Sequence, residues 1–150
     1  MIKSKLLTTL TLLLRECNVD KINDQDFIIK RNNIGRLEKI IKFIDENYDK
    51  DLSLDSIAHK FYFNSSYFSY YFKKNIGINF TEYLAKVRIQ EAMRLLDEDR
   101  SSTTDISFAC GFKNITSFYN SFKKITGKSP SEYKRYNSYL QNIKGIAAVR

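Results

Sequence analysis

An all-α fold, built from one helical unit used twice, is what this sequence predicts, and three observations carry the expectation. Proline occurs once and glycine five times in 150 residues, too few breakers for a chain of sheet turns. Ile, Leu, Phe and Tyr recur at spacings of three and four over long stretches, which puts them on one face of a helix. A segment from the middle of the chain also returns in the C-terminal third, the mark of a duplicated unit. With 43% hydrophobic residues the chain can build a core, as one compact domain or two small ones sharing a helix.

At the N-terminus, Leu6, Leu10, Leu13 and Cys17, flanked by Leu7 and Leu14, form an apolar stripe, as on an amphipathic helix. We read it as a helix packed on its own domain. The alternative is a homodimer joined through residues 3–17, for which about two heptads are marginal. Lys3, Lys5 and the run Leu6–Leu14 imitate a secretion signal. Against that, Thr8, Thr9 and Thr11 interrupt the run, Arg15 and Glu16 follow it, and no small-residue cleavage site comes after. No segment is long and apolar enough to span a bilayer, so no membrane partner is expected. Residues 18–33 lose the periodicity and are rich in Asn and Asp, as a connector would be. The expected division is therefore 1–33 for an N-terminal helix and polar connector, 34–136 for the main domain, and 137–150 for a tail.

Within the main domain Ile34, Leu37, Ile40, Ile41 and Ile44 mark a first helix ending near Tyr48. Ser53 suits the N-cap of a helix through Leu54, Ile57 and Ala58, and a second periodic helix runs from Asn64 to Lys74, giving a first two-helix unit over about 52–76. Phe80 to about Leu96 then reads as a linker helix over about 80–97, with Tyr83, Leu84, Val87, Ala92, Leu95 and Leu96 available for burial. The second unit falls at about 103–126.

The repeat is explicit. Ile57–Phe63 aligns with Ile106–Phe112 at an offset of 49, and after a one-residue insertion the offset is 50. In that register Asn64, Phe68, Phe72, Lys73, Lys74, Gly77, Glu82 and Tyr83 are matched by Asn114, Phe118, Phe122, Lys123, Lys124, Gly127, Glu132 and Tyr133. Each copy ends on a glycine suited to a left-handed helix cap. A capped helix then begins: Ser129, Pro130 and Glu132 make a capping box with proline at its first position, and Asn79 with Glu82 is the counterpart.

A helix-turn-helix needs a small residue where its helices cross, apolar residues round the turn, and a stripe holding the second helix on the first. Ile57, Ala58, Phe61, Phe63, Phe68 and Tyr71 supply these in the first unit, with Tyr62 where glycine would turn more easily. Ile106, Ser107, Cys110, Gly111, Phe112, Phe118 and Phe122 do so in the second, with Gly111 at the turn and Ser121 at a position that should be apolar.

Charge and chemistry narrow the function. The formal charge is +8, but residues 34–100 balance at 11 basic and 11 acidic, while residues 101–150 carry 8 and 2. The C-terminal third is thus the part suited to a polyanion. His59 is the only histidine, so a histidine triad or metal cluster has nothing to draw on. No phosphate-cradling glycine loop is present either. Neither an enzyme, a metal nor a cofactor is expected. Cys17 and Cys110 stand far apart without ligand partners, which fits a reducing cytoplasm. The aromatic residues fall at helical spacing, which favours core over stacking on single strands.

These motifs resemble one family. Phe63-Asn-Ser-Ser-Tyr-Phe-Ser-Tyr-Tyr-Phe-Lys-Lys-Asn-Ile-Gly77, Tyr83 to Leu96 with Arg88, and Ile106-Ser-Phe-Ala-Cys-Gly-Phe112 running into Phe118 to Tyr133 are similar to the DNA-binding domain of the AraC/XylS transcription regulators of bacteria. The resemblance covers about 34–136. It implies seven helices, with two recognition helices entering successive major-groove segments of double-stranded DNA, and a nucleoid-associated regulator, an activator that contacts RNA polymerase.

Helix geometry and the family pattern select the same side chains. With Phe68, Tyr71 and Phe72 turned inward, Ser66, Ser69, Tyr70 and Lys73 share the opposite face. On the second helix that face is Thr116, Tyr119, Asn120 and Lys123, with Ser117 beside it. Many relatives carry arginine at the positions of Tyr70 and Asn120, where it pairs with guanine. Asn120 instead suits adenine, and Tyr70 with the hydroxyls suits thymine methyls and weaker polar contacts, so A·T-leaning sites are expected. Lys73, Lys74, Lys123, Lys124 and Lys128 are assigned to phosphates, and Asn64 and Asn114 to helix caps. The missing arginines and the neutral middle third leave one rival, a protein-interaction adaptor with little DNA affinity.

Overall fold

The computed structural model describes the backbone of residues 24–98 and 101–147, and side-chain burial over 35–98 and 101–140. The apolar stripe at 3–17 lies outside these residues. The chain divides into two compact units, Met1–Leu37 and Glu38–Arg150, and the second holds every described helix except the start of the first. Seven helices and no strand occur among the described residues: α1 (Asp24–Glu46), α2 (Leu54–Lys60), α3 (Ser65–Ile76), α4 (Phe80–Asp97), α5 (Thr103–Ala109), α6 (Ile115–Thr126) and α7 (Pro130–Ala147).

Two ends differ from the sequence reading. Helix α1 begins at Asp24 rather than near Ile34, because a stretch without proline can continue a helix through its backbone bonds. Helix α7 likewise runs through the expected tail to Ala147.

The repeat is a repeat of packing. In the first copy Phe68 lies 5.7 Å from Phe72 and Phe72 meets Tyr83 edge-on at 5.6 Å and 74°. In the second Phe118 lies 5.6 Å from Phe122, and Phe122 meets Tyr133 at 5.6 Å and 73°. Such edge-to-face pairs add roughly 0.5–1.5 kcal/mol beyond the area they bury. Asn64 accepts from the Ser66 and Tyr67 amides, and Asn114 from Ser117. Gly77 and Gly127 close α3 and α6 at φ 85° and 77°, their amides donating to Lys73 and Lys123. At the start of α7 the Ser129–Glu132 box closes in both directions. At the start of α4 Asn79 accepts from the Glu82 amide, while the Glu82 carboxylate faces Lys86.

Helix α4 serves both copies. Its first half buries Phe80, Tyr83 and Leu84, with Phe80 packed on Phe68 and Phe72. The Tyr83 hydroxyl donates to Asp45 of α1 at 3.3 Å; burial first, then Asp45, raises the phenol above its ordinary pKa. The second half places Ile89, Ala92 and Leu96 in a core with Ile106, Cys110, Phe112, Phe118 and Phe122. Val87 and Leu95 are half-buried.

Candidate nucleic-acid interface

The pairs α2–α3 and α5–α6 are joined by turns at 61–64 and 110–114 that share the same hydrogen bonds. The Phe61 and Phe63 amides donate to Ile57 and Ala58, and the Cys110 and Phe112 amides to Ile106 and Ser107. Ala58 and Ser107 are fully buried at the crossings, where a small side chain lets two backbones approach. Ser107 Oγ has no hydrogen-bond partner. Cys110 is buried, and its thiol is pushed up to about 12, first by burial and then by Glu91, with Arg88 and Arg94 opposing. It is therefore a packing residue and not a reactive one.

With Phe68, Tyr71 and Phe72 buried on α3 and Phe118 and Phe122 on α6, the opposite faces are open. Ser66, Tyr70, Lys73 and Lys74 are exposed and Ser69 is half-buried; Thr116, Ser117, Tyr119, Asn120, Lys123, Lys124 and Lys128 are exposed. Lys74 Nζ stands 5.5 Å from the Tyr70 ring centre, and Lys128 Nζ 4.5 Å from that of Tyr136. Both are cation–π distances that hold a flexible ammonium in place.

Both helices reach one opening, α3 through Ser69 of its polar face and α6 through residues beside its polar face. A cleft of about 720 Å³ is lined by Ser69 of α3, by Ser121, Lys124 and Ile125 of α6, and by Asn79, Thr81, Glu82 and Lys86 at the start of α4. Ser121 is half-buried because its side borders this cleft instead of the core, so a polar residue is tolerated there.

Two cations carry no signal in the sequence that marks them out. Lys86 has the pattern of an ordinary solvated helix residue paired four positions from Glu82, and nothing in the sequence places it on one cleft with Lys124. Arg135 lines a depression with Lys128, Glu132, Tyr136 and Tyr139. Glu132 sits below the usual carboxylate range, chiefly through its bonds from the Ser129 amide and hydroxyl, with Lys123 and Arg135 adding to them. No group of three or more metal-binding side chains occurs among the described residues, and no helix among them is long and apolar enough to cross a membrane.

Two helix-turn-helix units on one shared helix, each presenting a polar face followed by a lysine pair, define a tandem helix-turn-helix domain. The profile of the helix-turn-helix domain family matches residues 57–136, and the chain belongs to the AraC/XylS family of regulators. It is 39% identical over 104 residues to the uncharacterized HTH-type transcriptional regulator YijO of Escherichia coli, covering 69% of this chain and 37% of YijO. The chain thus spans little more than a third of that relative. The C-terminal domain of the two-component response regulator yesN from Fusobacterium nucleatum superposes with a TM-score of 0.64 at 32% identity, over 67% of this chain and 98% of that one. The DNA-binding domain of AdpA, solved with a target DNA, has a TM-score of 0.68 at 20% identity, over 71% and 96%, a likeness of fold.

Proposed function

We propose that this domain binds duplex DNA sequence-specifically and regulates transcription, laying α3 and α6 into successive major-groove segments on one side of the duplex. The observation that carries this reading is one exposed polar face presented twice, Ser66, Tyr70 and Lys73 on α3 and Thr116, Asn120 and Lys123 on α6, each opposite the residues that its helix buries. Ser66, Ser69 and Tyr70 read one segment, and Thr116, Ser117, Tyr119 and Asn120 the other. Asn120 pairs with adenine through its amide, Tyr70 and the hydroxyls accommodate thymine, and the sites lean to A·T. Lys73, Lys74, Lys123, Lys124 and Lys128 hold phosphates, and Lys86 joins Lys124 where the backbone crosses the cleft. The regulatory names of the relatives and the target DNA bound by AdpA support the reading. By family analogy the protein is an activator that contacts RNA polymerase in the bacterial cytoplasm.

Binding isotherms across a salt series test this. The logarithm of affinity should fall linearly with that of salt, by about 0.9 for each phosphate neutralised. Lys123→Ala should lower the slope by about 1 and weaken all sequences alike. Affinity that ignores salt would leave the adaptor reading in its place.

A further inference from the structure

The segment 47–53 between α1 and α2 belongs to the first copy, yet residues of the linker and of the second copy hold it. Arg88, midway along α4, donates from Nε to the Tyr48 carbonyl at 2.8 Å and from Nη2 to the Lys50 carbonyl at 2.9 Å. Its guanidinium also lies 5.7 Å from the centre of the Phe112 ring, at the second turn. Lys113 of that turn pairs with Asp51 at 2.8 Å. Gly111 abuts Asp49 so closely that an added Cβ would stand 2.7 Å from its carbonyl oxygen and 2.9 Å from its Cα.

A single 18-residue helix without proline or glycine is stiff and fixes how far apart two units lie along its axis, but how each unit is turned about that axis depends on the contacts it makes beyond the helix. The 47–53 loop adds a second path between the copies, running from α2 through the loop to the turn before α6, and so closes a ring. We infer that this junction is the spacer of the molecule: it sets the rotation and separation of α3 and α6, and through them the one spacing of a two-part DNA site that the protein accepts. Arg88 and Gly111 are positioning residues, since neither reaches the DNA-facing sides of α3 and α6. The inference rests on the DNA reading above.

The consequence is a geometric discrimination. One base pair inserted between the two parts moves the second by about 3.4 Å and about a tenth of a turn, which a rigid junction does not follow. The test compares wild type and Arg88→Ala on the preferred two-part duplex and on versions one base pair longer and shorter. Wild type should lose about tenfold or more on either shift, the scale of a mismatched base pair. Arg88→Ala should weaken on the preferred duplex and lose most of the difference between spacings, with Arg88→Lys intermediate. A variant that merely destabilised the fold would bind all three duplexes more weakly and keep their ratio.

A second measurement needs no DNA. Spin labels at Asn75→Cys on α3 and Lys124→Cys on α6, with Cys17→Ser, should give a narrow distance distribution that Arg88→Ala broadens. Should Arg88→Ala lose helix content, Lys113→Ala, at an exposed pair, takes its place in both measurements. Unchanged spacing discrimination and an unchanged distance width would overturn the inference. A wild type that prefers no duplex defeats the DNA reading instead, while the distance width still decides the junction.

Discussion

The two helix-turn-helix turns sit at equivalent places in the repeat and meet the same backbone demand with different residues. Tyr62 takes φ 58° and Gly111 φ 83°, and the amide of each donates to the carbonyl three residues back. Tyr62 is 93% exposed, so its side chain has room and only the left-handed backbone strains it. Gly111 faces the backbone of Asp49, and no side chain of any size fits. One turn is a free surface and the other is a joint, which is why a single structural unit tolerates tyrosine in one copy and requires glycine in the other.

The contrast is broken most severely by Gly111→Ala, which adds a clash with backbone to an unfavourable φ. Urea unfolding should show a loss of about 3 kcal/mol, and α5–α6 amides should exchange faster. The crossing residues form a second pair: Ser107→Ala should stabilise by about 1 kcal/mol, because the hydroxyl has no partner, whereas Ala58→Ser should destabilise by about as much. The smallest change is expected from Tyr62→Gly, a gain of at most about 1 kcal/mol as relief of strain is partly offset by the freedom of glycine in the unfolded chain.

Cys110 lies next to the joint and gives a pH signature. Its thiol ionises near 9 when free of the fold and at about 12 within it. Above pH 9 the unfolded chain therefore releases a proton that the folded one keeps. Its contribution is complete below about 9 and is lost as pH rises towards 12. Cys110→Ala should flatten that part of the stability profile, and labelling of the Cys110 thiol at pH 8 should proceed only as fast as the second unit opens.

The repeat is readable in the sequence because it is a repeat of side chains. Phe68, Phe72, Gly77 and Tyr83 recur with their own copies, and Asn64 and Asn114 stand where caps belong. The Tyr62 and Gly111 positions are likewise visible as turns. The ring closed by the 47–53 loop is not, because Arg88 binds the carbonyls of Tyr48 and Lys50, and carbonyl acceptors are the same in every residue. The early start of α1 is hidden for a related reason: backbone bonds extend the helix through the Asn- and Asp-containing stretch that the sequence marks as a connector. Nor does the sequence bring Lys86 and Lys124 to one cleft, since residues on different helices share no spacing.

In the function proposed above, two recognition helices held at one separation read a two-part site in duplex DNA. Selection of bound duplexes from a random library, with wild type and Asn120→Ala side by side, decides this. The expected result is an A·T-leaning motif of two parts at a single spacing, of which the second part alone relaxes in Asn120→Ala, at a cost of about 1–3 kcal/mol on the wild-type site. A single short motif, or two parts enriched at many spacings, would contradict it.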